Sequence, residues 1–397
     1  MAPSRMNRLG LALLSLGHLT VDLNPGALPA LLPVLFVDLQ LSYTTAAVVV
    51  TVANLTSSVI QPVFGWIADR VSHRWLLPLG CFVSSAGFAL ATQAPSYGVL
   101  LALIVCSSLG VAVYHPEAAR AANAFAGARK ASGMALFVVG GSFGYALGPV
   151  VLGALLAAYG RPGAVGFLAM AVLVPPLLAI ALPRLSQAPA RAPRRAKTGG
   201  AAPATGSRRV MALLVAVIVF RQSAHMGLAT FIPLYFVNHL GQPPTVATQL
   251  LAALLFGGVV GTLAGGPVAD RWGRKPVLTG TLFLSVPLLF LFLGSSGAVA
   301  LAVLFVAGAI MVGTFSVTVV MGQELMPERT ALAAGLTVGL SVGMAGIVAA
   351  LLGRVADTLG IAQTMLLITL LPLPGALLSL ALPDTLRRAP RLAAAGR

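Results

Sequence analysis

Few ionisable side chains lie inside the apolar stretches of this chain, and those few fall into groups. His18 precedes Asp22 by four residues and Arg221 precedes His225 by four, spacings that put each pair on one helical face. A third group is His115-Pro116-Glu117, and Gln323-Glu324 occupies a comparable place in the second half. An imidazole beside a carboxylate suits proton transfer, because histidine exchanges its proton in the physiological range. A guanidinium suits an oxyanion, to which it donates two parallel hydrogen bonds. The candidates for proton coupling are therefore Asp22, His18, His115 and Glu117; those for holding a solute are Arg221, His225 and Gln222, with Asn54 and Gln61 as further polar positions in an apolar run. Structural alternatives stand beside each. Asp22 and Arg221 could form a fixed pair, Asp22 could cap a helix broken at Asn24-Pro25-Gly26, and the histidines could be packing residues. Nothing points to an enzyme: there is no Walker-type phosphate loop, no G-x-S-x-G elbow and no HExxH. Cys81 and Cys106 sit in apolar runs without ligand-forming neighbours, so no disulfide, metal site or cofactor is expected.

What must position these residues follows from composition. Of 397 residues, 58% are hydrophobic and 9% charged, with a mean hydropathy of +0.95. Soluble domains carry about a quarter charged residues, so this chain has too little polar surface for water and belongs in a bilayer. Apolar runs of spanning length fall at 8–37, 44–68, 75–93, 98–121, 131–158 and 163–182, and again at 209–237, 245–269, 275–293, 298–322, 331–355 and 361–382. The first continues too far past the basic Arg5 and Arg8 to be a cleaved leader and is expected to remain as a helix.

The net charge of +16, from 25 Lys and Arg against 9 Asp and Glu, sorts by position. With the N-terminus inside, Arg70/Arg74, Arg120/Arg129/Lys130, Arg271/Arg274/Lys275, Arg329 and the C-terminal arginines share one side with the stretch 183–209. The other side receives only Arg161 and, near a helix end, Arg354. That is the positive-inside pattern, with both termini cytoplasmic; a nucleic-acid surface would gather its charges on one face, and none is expected. The predicted layout is a bundle over 1–182, a basic Pro/Ala/Gly-rich linker over 183–208, and a second bundle with a short tail over 209–397.

The two halves share a motif. Gly65-Trp-Ile-Ala-Asp69-Arg70-Val-Ser72-His73-Arg74 follows the second run, and Gly266-Pro-Val-Ala-Asp270-Arg271-Trp-Gly273-Arg274-Lys275 follows the eighth, 201 residues later. The chain thereby resembles the major facilitator superfamily of secondary transporters, whose loop motif is G-x-x-x-D-[RK]-x-G-[RK]-[RK]. The second copy matches throughout; the first departs at Ser72 and His73. Within that superfamily it is similar to the bacterial fosmidomycin resistance proteins, on Gly17-His18…Asp22, Ser57-Ser58…Gln61-Pro62, Tyr114-His115-Pro116-Glu117…Arg120, Gly140-Gly141-Ser-Phe-Gly144-Tyr-Ala-Leu-Gly148-Pro149 and Gln323-Glu324-Leu-Met-Pro327.

The resemblance implies an all-α membrane fold of twelve transmembrane helices in two pseudo-symmetric six-helix bundles, with spans 1, 4, 7 and 10 lining the central cavity. It implies a proton-coupled drug efflux antiporter of the bacterial inner membrane, acting as a monomer on a small-molecule drug and protons. An importer or exchanger of organic anions is the alternative within the fold; a receptor or scaffold that moves nothing is the one outside it. Gly65, Asp69, Arg70, Arg74, Gly266, Asp270, Arg271, Gly273, Arg274, Lys275 and Glu324 would then form a conformational switch, with Asp69 and Asp270 taking bonds from Arg74 and Arg274. Glu117 and Glu324 could alternatively latch onto the basic loop residues. Gly144, Gly148 and Pro149 resemble the superfamily's antiporter motif, with Gly339, Gly343 and Gly346 as a weaker counterpart.

Overall fold

A computed structural model describes residues 6–70, 75–127, 130–185, 205–326, 333 and 335–384; Arg74, Arg329, the tail arginines and most of the linker lie outside these, as do the side chains of Gly65, Asp69 and Arg70. The described chain is helical, without a strand among those residues. In order, the helices are α1 (Arg8–Asp38), α2 (Tyr43–Arg70), α3 (Leu76–Ala91), α4 (Tyr97–Phe125), α5 (Lys130–Gly163), α6 (Leu168–Leu185), α7 (Thr205–Leu234), α8 (Pro244–Trp272), α9 (Arg274–Leu293), α10 (Gly297–Leu325), α11 (Ser341–Leu359) and α12 (Ile361–Ser379). Each of the twelve apolar runs thus has its helix. Among the described residues, ten stretches are long and apolar enough to cross a membrane, the longest, Leu136–Leu182, holding two helices across Gly160; the 16-residue α3 is shorter. In hydrocarbon a backbone has no water to bond with, so helices, which satisfy themselves internally, are the available form. Val59, Val63, Phe82, Leu173, Leu284 and Leu351 remain exposed on their outer faces, as lipid contact requires.

The contacts divide the chain into two compact units, Met1–Arg195 with Phe236–Thr248, and Ala196–Tyr235 with Gln249–Arg397. In the first, α1 lies against α5 through glycine. A Cβ at Gly140 would run into Ser15, one at Gly144 into the Leu19 carbonyl, and one at Gly148 into the Leu23 carbonyl. Gly26 of α1 meets the Tyr145 carbonyl in the same way. Between lipid-immersed helices, where there is little hydrophobic drive to associate, such close backbone approach supplies the attraction.

Helix α1 is not broken at Asn24-Pro25-Gly26. It runs continuously from Arg8 to Asp38 with Pro25, Pro29 and Pro33 inside it. Pro25 cannot bond the Val21 carbonyl, and Asn24 partly makes good the loss: its fully buried Nδ2 reaches Val21 O (3.4 Å), Thr20 O (3.3 Å) and, on α3, Ser84 Oγ (2.9 Å). Asp22 therefore caps nothing.

Arg161, one of the two arginines expected on the outer side, is a brace. Beyond the bend at Gly160 (φ 62°), its Nη1 meets Asp38 Oδ2 at 2.8 Å, Nε donates to Thr92 O at 2.8 Å and Nη2 to Ala94 O at 2.7 Å. A cation on the open carbonyls after α3 also complements that helix's dipole. Arg161→Ala should lower stability by about 2 kcal/mol, the scale of charge-assisted bonds at a partly exposed site. Arg161→Lys should recover less than half of it, since one ammonium cannot span three acceptors. An unshifted thermal melt of the purified alanine variant would remove the brace.

In the second unit the glycine-mediated approach is between α8 and α10. Cβ atoms at Gly257, Gly261 and Gly265 would strike the carbonyls of Phe305, Ala309 and Gly313, and one at Gly308 would strike that of Leu254. On the eleventh span, Gly339 has nothing within 4 Å and lies in a π-helical turn, Gly335–Leu340, ahead of α11, whereas Gly343 and Gly346 are buried within α11. Helix α10 is itself interrupted at Thr314, which separates Gly297–Gly313 from Phe315–Leu325.

Candidate functional site

The side chains of His18, Asp22 and His115 meet in the first unit. His18 Nε2 is 3.2 Å from Asp22 Oδ2, His115 Nε2 is 3.0 Å from Asp22 Oδ1, and the two Nε2 atoms are 3.1 Å apart. His18 and Asp22 are one turn apart on α1 as their spacing requires, whereas His115 arrives from α4. All three are mostly buried, with side-chain exposures of 8%, 19% and 22% for His18, Asp22 and His115.

The outer nitrogens define the proton arrangement. His18 Nδ1 lies 2.9 Å from Phe137 O, and His115 Nδ1 lies 2.9 Å from Val111 O. A carbonyl only accepts, so each Nδ1 carries its hydrogen. With neutral rings and an ionised Asp22, every atom facing the centre would then be an acceptor, and the contacts at 3.0–3.2 Å would repel. A proton added to one ring turns that ring's contacts into donor–acceptor pairs. The arrangement, an aspartate between two imidazoles, can take up a proton and pass it among the three side chains. The same ligand atoms, all within 4.8 Å of one another, are the set among the described residues that could also hold a metal ion, although the sequence shows no such cluster because His115 lies 93 residues beyond Asp22.

Two supports for this site escape the sequence. Phe137 of α5 stacks on the His18 ring at 4.2 Å between centroids besides receiving its Nδ1–H. One turn later on the same face, Gly141 leaves the space the ring occupies, since a Cβ there would overlap His18 Nε2. The Phe137-x-x-x-Gly141 spacing was visible, but not what it faced.

Glu117 is not the carboxylate partner of His115. Two residues apart on a helix, their side chains diverge; Glu117, 1% exposed, is held by Arg120, whose Nε donates to Oε2 at 2.9 Å and whose Nη2 contacts Oε1. Nor does His115 use the Ala112 carbonyl that Pro116 leaves unbonded; its acceptor is Val111 O, and α4 continues through Pro116.

The second loop motif sits at the α8–α9 corner. Gly273 has φ +99°, a conformation only glycine adopts readily, and caps α9. Arg274 pairs with Glu324 of α10, and Lys275 Nζ donates to Leu380 O at 2.6 Å. Asp270 is exposed and, among the described residues, makes no bond to Arg274. The ion pair at this corner therefore joins Arg274 to Glu324, within the second unit.

Arg221, 1% exposed, donates from Nη1 to Met311 O (2.7 Å), where Thr314 Oγ1 also reaches (3.3 Å) beside the interruption of α10. His225 lies one turn further along α7 and is also buried, at 9% exposed. Gln222 and Gln61 are half-buried, and Asn54 Nδ2 turns back to Val50 O at 2.8 Å on its own helix.

Comparison with known proteins places this arrangement. The profile of the Major Facilitator Superfamily matches residues 14–338. An uncharacterised MFS-type transporter, YfnC of Bacillus subtilis (strain 168), is 32% identical over 373 residues, covering 92% of this chain and 91% of its own. The fosmidomycin resistance protein of Escherichia coli (strain K12) is 30% identical over 377 residues, covering 94% and 92%. A bacterial homolog of the human lysosomal transporter Spinster, solved inward-facing and unoccupied, has the same fold with a TM-score of 0.73 at 16% identity, over 94% of this chain and 95% of that one. Twelve apolar helices, the loop motif at Gly266–Lys275 and these matches agree: the chain is a multi-pass membrane transporter, not an enzyme, and belongs to the Major Facilitator Superfamily.

Proposed function

We propose that this chain is a proton-coupled exporter of small-molecule drugs, working by alternating access in the inner membrane of a bacterium with both termini cytoplasmic. The observation that supports this is the His18–Asp22–His115 cluster, in which two imidazoles contact one mostly buried carboxylate. Ionisable groups are costly within a membrane, and three of them in mutual contact suit a relay better than a brace. The likeness to the fosmidomycin resistance protein supports export and suggests a phosphonate drug as the first solute to try. The Arg274–Glu324 pair serves as a latch that breaks and re-forms as the transporter changes state, and Gly144, Gly148 and Pro149 keep α1 and α5 in close contact throughout.

The test is drug susceptibility of cells that express the chain, with a phosphonate included. Expression should raise the inhibitory concentration of at least one drug several-fold, and collapsing the proton gradient with a protonophore should abolish the increase. Greater sensitivity would instead identify an importer. No change for any drug, together with silent transport in proteoliposomes under every gradient, would overturn transport of drugs altogether.

A further inference from the structure

On the reading of this chain as an exporter, we propose that its second unit contains an oxyanion site built from Arg221 Nε and Nη2 with His225 Nε2, and that the solute carries a carboxylate, phosphonate or phosphate-monoester group. The guanidinium of Arg221 is 1% exposed, and none of the ion pairs among the described residues uses it. A buried charge with no counter-charge is strongly unfavourable unless something answers it. Among the described acids of the unit, Glu324 holds Arg274, Asp270 and Asp357 lie at the surface, and Asp384 lies beside Gly273 at the α8–α9 corner.

Which atoms are left over is the telling point. Arg221 Nη1 is used by Met311 O, and Nε and Nη2 are buried with no hydrogen-bond partner. In the planar guanidinium the Nε–H and the adjacent Nη2–H lie parallel along one edge. That edge is the fork that matches two oxygens of one oxyanion. A residue present only to tie α7 to the interrupted α10 would need a single donor, which lysine supplies equally well. His225 Nε2, one turn along the same face, is also buried and without a partner, and in its Nε2–H form it adds a third donor. Three donors and no acceptor select an anion and reject a cation.

Equilibrium binding to the full chain purified in detergent tests this without a proton gradient. The probes are radiolabelled fosmidomycin and, as competitor, inorganic phosphate. Wild type should bind the phosphonate saturably and phosphate should displace it. Arg221→Lys, which keeps a donor for Met311 O and loses the fork, should weaken binding at least tenfold; His225→Ala, which leaves the Met311 bond untouched, should weaken it about threefold. Thermal melts and monodisperse elution confirm that both variants fold, and His225→Ala carries the test alone if Arg221→Lys does not. No saturable binding to wild type, or unchanged affinity in the folded variants, overturns the site. Displacement by phosphatidylglycerol but not by phosphate also overturns it, assigning the fork to a lipid headgroup. These failures are separable from failure of the export reading: gradient-driven export undiminished in Arg221→Lys would leave the exporter standing and remove only the oxyanion site.

Discussion

Asp22→Asn should abolish proton-driven transport while leaving the protein folded and able to bind drug. The substitution keeps the shape of the side chain and removes the charge that draws a proton between His18 Nε2 and His115 Nε2. In proteoliposomes, gradient-driven drug movement should fall by at least ~100-fold, the lower end of what a positioned proton-transfer group contributes. Exchange of labelled for unlabelled drug, which needs no net proton movement, should persist within a few-fold. That split distinguishes coupling from bracing, because a lost brace would impair both. His115→Ala should leave transport measurable but change its pH profile, since one imidazole of the shared site remains at His18 Nε2. Undiminished proton-driven export by Asp22→Asn would take Asp22 out of the coupling path.

The second large effect is structural. Gly144→Val should destabilise the first unit by about 3 kcal/mol or prevent its folding, at the upper end of overpacking costs. The obstacle is the Leu19 backbone carbonyl, which cannot turn aside as a side chain can, so α1 and α5 must separate. Separation also moves Phe137 and Gly141 away from His18, so that any folded fraction should transport poorly. Gly280→Ala is the matched control, since nothing lies within 4 Å of its added Cβ; replacing a helical glycine by alanine should there be neutral or slightly stabilising. Equal melting of Gly144→Val and wild type would contradict the close approach of the two helices.

Much of the fold was legible because a bilayer imposes simple demands. Hydrocarbon needs about 20 apolar residues per crossing, and the runs from 8–37 to 361–382 display that need openly. Some local geometry was legible too. His18 and Asp22 had to share a face because four residues make about one turn, and Gly273 had to begin α9 because the chain turns there with positive φ. Less legible were choices between equivalent local options. Asn24-Pro25-Gly26 reads as a break, yet α1 stays continuous because the buried Asn24 amide gains partners on α3. Glu117 reads as the carboxylate beside His115, yet it turns to Arg120, and His115 meets Asp22 of α1 instead.

By itself, then, the sequence determined a polytopic membrane transporter of repeated halves, since composition, span length and a duplicated loop motif are properties of the chain read in one dimension. It also determined the short set of ionisable groups at membrane depth. Only the tertiary structure decided which of them meet. The register of α4 and α5 against α1, set by glycines that admit a neighbouring backbone and by Phe137 against the His18 ring, brings His115 from 93 residues away to within 3.0 Å of Asp22. In the second unit the same kind of decision left the Arg221 fork buried and unanswered. Helical periodicity fixes faces along a helix, but the contacts between helices depend on how closely they pack and at what register, which no local spacing encodes.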